Sequence, residues 1–182
     1  MFVEKLINTI VLFVFFYIIY IGWLYITKTP PKKTTKCIQI TSVLYLSILV
    51  SVLIIPSWNF SPFYFVLSSN SHFEDFNYIP FKTIITQLSN IVNDIDRLYC
   101  LKNLIGNLFA FLPFPILIKL SIPQAKTYLC FFVPIVLIVL IECIQTKVGR
   151  VFDVDDIILN SLGAIVGGIF VKCNLIIPKT ET

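Results

Sequence analysis

Glu142 stands in an otherwise apolar run, and Gln145 follows three residues later on the same helical face. A short loop then reads Gly149-Arg150-Val151-Phe152-Asp153-Val154-Asp155-Asp156. A carboxylate carried into an apolar span is a functional candidate by default, because leaving it unpaired in lipid is costly. Arg150 is the obvious partner, one guanidinium facing three further carboxylates. Such a set has two chemical uses. The carboxylates could contact cationic groups of a ligand while Arg150 clamps a phosphate or carboxylate through two parallel N–H bonds. Alternatively, Glu142 could act as general base while Asp153, Asp155 and Asp156 gather a divalent cation, which would suit chemistry on a lipid-linked phosphate. No nucleophile stands out for the second use. His72, the only histidine, lies in a polar turn, and lone serines such as Ser161 have no adjacent base. No phosphate loop, dinucleotide fingerprint or H-E-x-x-H occurs. The five cysteines are scattered without a C-x-x-C pair, so neither a disulfide framework nor a zinc site is indicated. No metal or other cofactor is expected.

Further polar groups fall at the same level. Asp153, Asp156 and Asn160 have i, i+3, i+7 spacing, and Gly163 and Gly167 continue that stripe as a small-xxx-small pattern where another helix can approach closely. Asn103 and Asn107 are i, i+4 with Gly106 between them, a similar face on an earlier segment. Each feature also has a plain structural use. Asp153 or Asp155 could cap the last helix, the asparagines could be interhelical glue, and a buried Glu142–Arg150 pair could only fix helix register.

The elements that must position these groups follow from composition. The chain has 182 residues, 57% apolar against only 13% charged, with a mean hydropathy of +0.89. A soluble domain carries about 25% charged residues, so this one is solvated mostly by lipid. Leu6–Ile26, Ile38–Ile55, Asn103–Leu120, Thr127–Thr146 and Ile157–Ile177 read as five spans, the third kinked by Pro113 and Pro115. Where those prolines remove donors, neighbouring helices must satisfy the freed carbonyls. A short amphipathic helix is expected around Ile84–Leu98, and residues 57–73 read as re-entrant or interfacial, with a full span left open as a third reading. The fold expected is an all-α, polytopic membrane helical bundle of about five transmembrane helices plus a short interfacial helix. Residues 1–56 hold two helices with a basic linker, 57–102 a loop, 103–177 a three-helix core and 178–182 a tail.

Formal net charge is +4, but the lysines sit between apolar runs, so they mark orientation and nucleic-acid binding is not expected. Four lysines fill the nine-residue linker Lys28–Lys36. Counting the basic residues at alternate ends gives eight on the linker's side and six on the other, out of 14. The positive-inside rule then places the amino terminus outside, the carboxyl terminus in the cytoplasm, and the 56–102 and 147–156 loops outside.

Asn77-Tyr78-Ile79-Pro80-Phe81-Lys82-Thr83-Ile84, Asn103-Leu104-Ile105-Gly106-Asn107-Leu108 with Phe111-Leu112-Pro113, then Glu142 and Gln145, lead into an Arg-x-x-Asp-x-Asp-Asp-x-x-x-Asn-x-x-Gly run from Arg150 to Gly163. This combination resembles the VanZ-like family, named after an accessory teicoplanin-resistance protein. The resemblance covers about Asn77 to Gly168, and the first two spans match in hydropathy only. Pro113-Phe114-Pro115 replaces the family's common Pro-x-Gly. The resemblance implies a multi-pass bacterial plasma-membrane protein, some of whose relatives lower susceptibility to teicoplanin-type lipoglycopeptides. The expectation is a non-enzymatic protein whose outward-facing pocket of Asn103, Asn107, Glu142, Gln145, Arg150, Asp153, Asp155, Asp156 and Asn160 engages membrane lipid, a lipoglycopeptide or a lipid-linked cell-wall precursor. Gly106, Gly163 and Gly167 would serve helix packing. The alternatives are an intramembrane enzyme on a lipid-linked phosphate, and a structural or partner-binding subunit of envelope machinery.

Overall fold

The computed structural model describes residues 2–27, 33–54, 76–146, 151–173 and 175. Their helices are α1 (Phe2–Thr27), α2 (Lys33–Ile54), α3 (Lys82–Val92), α4 (Arg97–Ala110), α5 (Pro113–Ser121), α6 (Thr127–Gln145) and α7 (Val154–Lys172). The expected re-entrant stretch at 57–73 and the tail at 178–182 lie outside the described residues. Four helical segments are long and apolar enough to cross a membrane: Lys36–Ile54, Arg97–Ser121, Thr127–Gln145 and Val154–Lys172. In α1 the apolar stretch Thr9–Gly22 adds a shorter one. The 19 residues of α6 or α7 rise about 28 Å, close to the ~30 Å of a hydrocarbon core. The chain is therefore an all-α, multi-pass membrane bundle, with α3 as the short helix beside the spans.

The third span is broken rather than merely kinked. Pro113 and Pro115 bring no N–H to the ladder, and the turn at Phe111-Leu112 separates α4 from α5. Phe114 N–H bonds Phe111 O (3.2 Å), which leaves Ala110 O without its partner four residues on, and the Tyr45 hydroxyl donates to it from α2. This is the neighbour-helix repair that a membrane requires. The break also turns Phe111 fully inward, edge-on to Phe114 at 6.1 Å, where both join Leu49, Ile138, Ile141 and Ala164 in the core.

Between α3 and α4 the chain turns through Asn93–Asp96. Asp94 (φ 57°) and Asp96 (φ 45°) take the left-handed conformation that short polar side chains tolerate. That turn ends the amphipathic helix at Val92 instead of Leu98 and starts the third span at Arg97 instead of Asn103. The fifth span likewise begins earlier than Ile157, because Asp155 and Asp156 form its first turn, where carboxylates favour the helix dipole.

Helix α7 is the hub, packed against α4, α5 and α6, with α2 on α5 and α6, and α1 on α2. Two ends result. The C-termini of α2 and α6 and the N-termini of α4 and α7 meet at the α3 end. At the opposite end Tyr20 donates to Gln39 Oε1 (2.6 Å), and Gln39 Nε2 donates to Ser121 O (2.9 Å), closing the C-terminus of α5.

Candidate functional site

At the α3 end the sequence leads into α7 through an extended Asp153, whose side chain accepts the N–H of Asp155 at 2.9 Å as an N-cap. Just before it the backbone forms a parallel bridge with Asn77: Asn77 N–H bonds Phe152 O (2.9 Å) and Val154 N–H bonds Asn77 O (3.1 Å). Asn77 Nδ2 adds a bond to Asp153 Oδ1 (2.8 Å). Phe76, Tyr78 and Phe152 cluster over this bridge with ring centroids 5.5–6.3 Å apart.

Asp155 does something the sequence did not announce. It caps a different helix. Its side chain has no exposed surface, and its oxygens accept the backbone N–H groups of Phe81, Thr83 (2.7 Å) and Ile84 (3.1 Å) at the start of α3. A carboxylate there satisfies orphan donors and meets the positive end of the helix dipole. Phe81 sits at φ 68°, unusual for a bulky residue, and the bond from its N–H to Asp155 helps hold it there.

Asp156 turns to α4, where Asn107 Nδ2 donates to its Oδ1. Asn160 Nδ2 donates back one turn to Asp156 O (2.8 Å), while the buried Asn160 Oδ1 has no partner among the described residues. Glu142 Oε1 accepts Asp153 N–H (2.9 Å), tying the end of α6 to the start of α7. Its expected partner Arg150 lies outside the described residues. Gln145 points the other way and donates to Leu53 O (2.8 Å), one of the orphan carbonyls ending α2. Asn103 Nδ2 reaches Gln87 Oε1 on α3 (3.3 Å).

Of the nine expected residues, Arg150 alone lies outside the described ones. The other eight are described, and their separate bonds tie α6 to α2, α4 to α3, α4 to α7, α7 to α3 and the start of α7 to α6. The three aspartates diverge, each toward a different element, and among the described residues no three His, Cys, Asp or Glu side chains are grouped to hold a metal ion. Asn77 opens the Asn77–Ile84 motif without a role assigned from it, while Gln87 and the backbone donors of α3 carry bonds that no sequence pattern marks. Pro80, three residues after Asn77 and just ahead of the Phe81 N-cap, is a local signal that a helix starts here.

The glycines divide sharply. A Cβ on Gly163 would lie 2.0 Å from Leu108 O, and one on Gly167 2.0 Å from Leu112 O, so α7 approaches the α4–α5 backbone there. Gly106, expected to share such a contact, faces open space. It borders a groove of about 340 Å³ between α2 and α4. The α2 wall is apolar, with Tyr45, Ile48, Leu49 and Val52, whereas the α4 wall carries Lys102, Asn103 and Asn107.

Comparison with curated proteins and with solved structures gives no match. The VanZ/LLP1 family profile matches residues 42–176. That stretch takes in α3 to α7 whole and reaches back into α2, which supplies one groove wall, so it extends beyond the Asn77–Gly168 motifs. On a match over most of its length, the chain belongs to the VanZ/LLP1 family.

Proposed function

We propose that this VanZ/LLP1 membrane protein binds an amphiphile at the outer leaflet without chemically changing it. One observation carries the reading: Asn103 and Asn107, two of the polar residues picked out by the sequence, face an open groove whose opposite wall is apolar. A polar wall against an apolar one suits a molecule with a headgroup and an acyl chain, and the volume lies in the ~300–1,000 Å³ range of ligand pockets. Around it, the exposed apolar residues Ile85, Leu88 and Val92 of α3, with Tyr78 and Phe81, form a surface suited to the headgroup boundary. Asp153, Asp155 and Asp156 act as scaffold in this reading. Their oxygens accept N–H bonds that fix α3, α4 and α7, which favours binding over metal-assisted catalysis. Teicoplanin-type lipoglycopeptides carry an acyl chain and act at the outer leaflet, so the family resemblance and the groove point to the same class of molecule.

The test is expression in a drug-susceptible Gram-positive host. The intact protein is expected to raise the teicoplanin concentration needed for inhibition several-fold and to leave vancomycin unchanged. Asn103→Leu, which strips a polar group from the groove, should abolish that gain at unchanged protein level. Equal teicoplanin susceptibility with and without the protein would sink the resistance role.

A further inference from the structure

From the charge and depth of the α2–α4 groove, we infer that its occupant is an anionic phospholipid, its phosphate at Lys102 and one acyl chain lying down the groove toward Tyr45. The inference rests on the amphiphile reading and adds the chemical class of the ligand. From Lys102 near the α3 end to Ala110 at the helix break is eight residues of α4, a rise of about 12 Å. One leaflet of a ~30 Å hydrocarbon core is about 15 Å deep. The groove therefore spans most of one leaflet and stops where Tyr45 bonds the Ala110 carbonyl. It faces the lipid side, since Ile48 and Val52 on one wall and Gly106 on the other are exposed. A chain can then enter sideways from the leaflet.

The headgroup preference follows from Lys102, the one charged side chain on the groove walls among the described residues. Lys102 is exposed and makes no hydrogen bond or ion pair among the described residues. Asp156, which accepts from Asn107 Nδ2, is not among the residues lining the groove. A lysine is a compact point charge suited to a phosphate. Asn103 keeps its amide oxygen on the same wall, since its Nδ2 is used on Gln87, and that oxygen can accept from a glycerol hydroxyl. Gly106 leaves the room: a Cβ there would meet nothing within 4 Å, and the space it leaves is groove.

The full chain reconstituted in phosphatidylcholine bilayers, with photoactivatable acyl chains on either phosphatidylglycerol or phosphatidylcholine at equal mole fraction, provides the test. Label is mapped by mass spectrometry to α2, and to the lipid-facing Phe132 and Val136 of α6 as background. Phosphatidylglycerol is expected to label Ile48 and Val52 at least about threefold more than phosphatidylcholine does, a difference of the size one well-placed charge contact produces. Lys102→Glu should bring the two lipids level. Gly106→Phe, which fills the groove without touching a packed contact, should lower both to background. Equal labelling by the two lipids above background would overturn the anionic preference while leaving the amphiphile reading intact. Undiminished labelling in Gly106→Phe, or α2 labelling no greater than that of α6, would overturn the groove as the lipid's place.

Discussion

Because Asp155 is fully buried and takes N–H bonds from Phe81, Thr83 and Ile84, truncating it leaves the first turn of α3 with unmet donors. Each such bond to a charged group contributes about 1.5–3 kcal/mol, and partial rescue by water reduces the sum. Asp155→Ala should therefore cost roughly 2–4 kcal/mol, and Asp155→Asn less, because an amide oxygen can still accept. Asp153→Ala removes an N-cap and a bond from Asn77, with a loss of about 1–2 kcal/mol. Thermal unfolding in detergent, combined with hydrogen exchange on α3, checks the order. Asp155→Ala must be the more destabilising of the two and must raise exchange in α3 first. A larger effect at Asp153 would mean that the start of α7, not its grip on α3, holds this end together.

At the level of elements, the small-residue stripe of α7 and the α4–α5 break form one joint. The Cβ atoms that Gly163→Ala and Gly167→Ala would add fall on the carbonyl oxygens of Leu108 and Leu112, backbone atoms that cannot swing aside. Overpacking of this kind costs about 1–3 kcal/mol and more where backbone must move. Gly106→Ala meets open space and gains about 1 kcal/mol of helix propensity, so it should be neutral or stabilising. Tyr45→Phe strands the Ala110 carbonyl and should cost about 1–3 kcal/mol. Melting temperatures of the four variants test the joint; a Gly163→Ala protein as stable as Gly106→Ala would refute it. The contrast also marks what the sequence could convey. Hydropathy runs located the spans, because length and apolar content are local properties, and prolines 113 and 115 located the break. Spacing put Gly163, Gly167 and Gly106 on helix faces but held no information on which face meets another helix. Charge pattern found Asp153, Asp155 and Asp156 together. Only three dimensions show that Asp155 reaches across 71 or more residues to cap α3, since backbone donors leave no trace in side-chain identity.

For the whole molecule the open property is direction, since a bundle of this shape is equally stable either way up and only charge distinguishes its ends. Counted along the sequence between the expected spans, eight of the 14 basic residues fall on the side of the Lys28–Lys36 linker, which itself holds four of them. Lysines beside the first spans weigh most in setting orientation, because translocating them is opposed during insertion. The α3 end should therefore face outward, which the amphiphile reading requires. The chain offers its own probes: Cys173, just past α7, is exposed at one end, and Asn93 is exposed in the α3–α4 turn at the other. In an otherwise cysteine-free protein on intact cells, a membrane-impermeant maleimide should label Asn93→Cys and spare Cys173 until the cells are opened. The linker can also be made to argue against itself. Replacing Lys28, Lys32 and Lys36 by Gln leaves five basic residues against six, so the Asn93→Cys signal should fall as a fraction of chains inserts inverted. Labelling of Cys173 on intact cells carrying the original linker would reverse the bundle and place the groove and the aspartate clamp at the cytoplasmic leaflet.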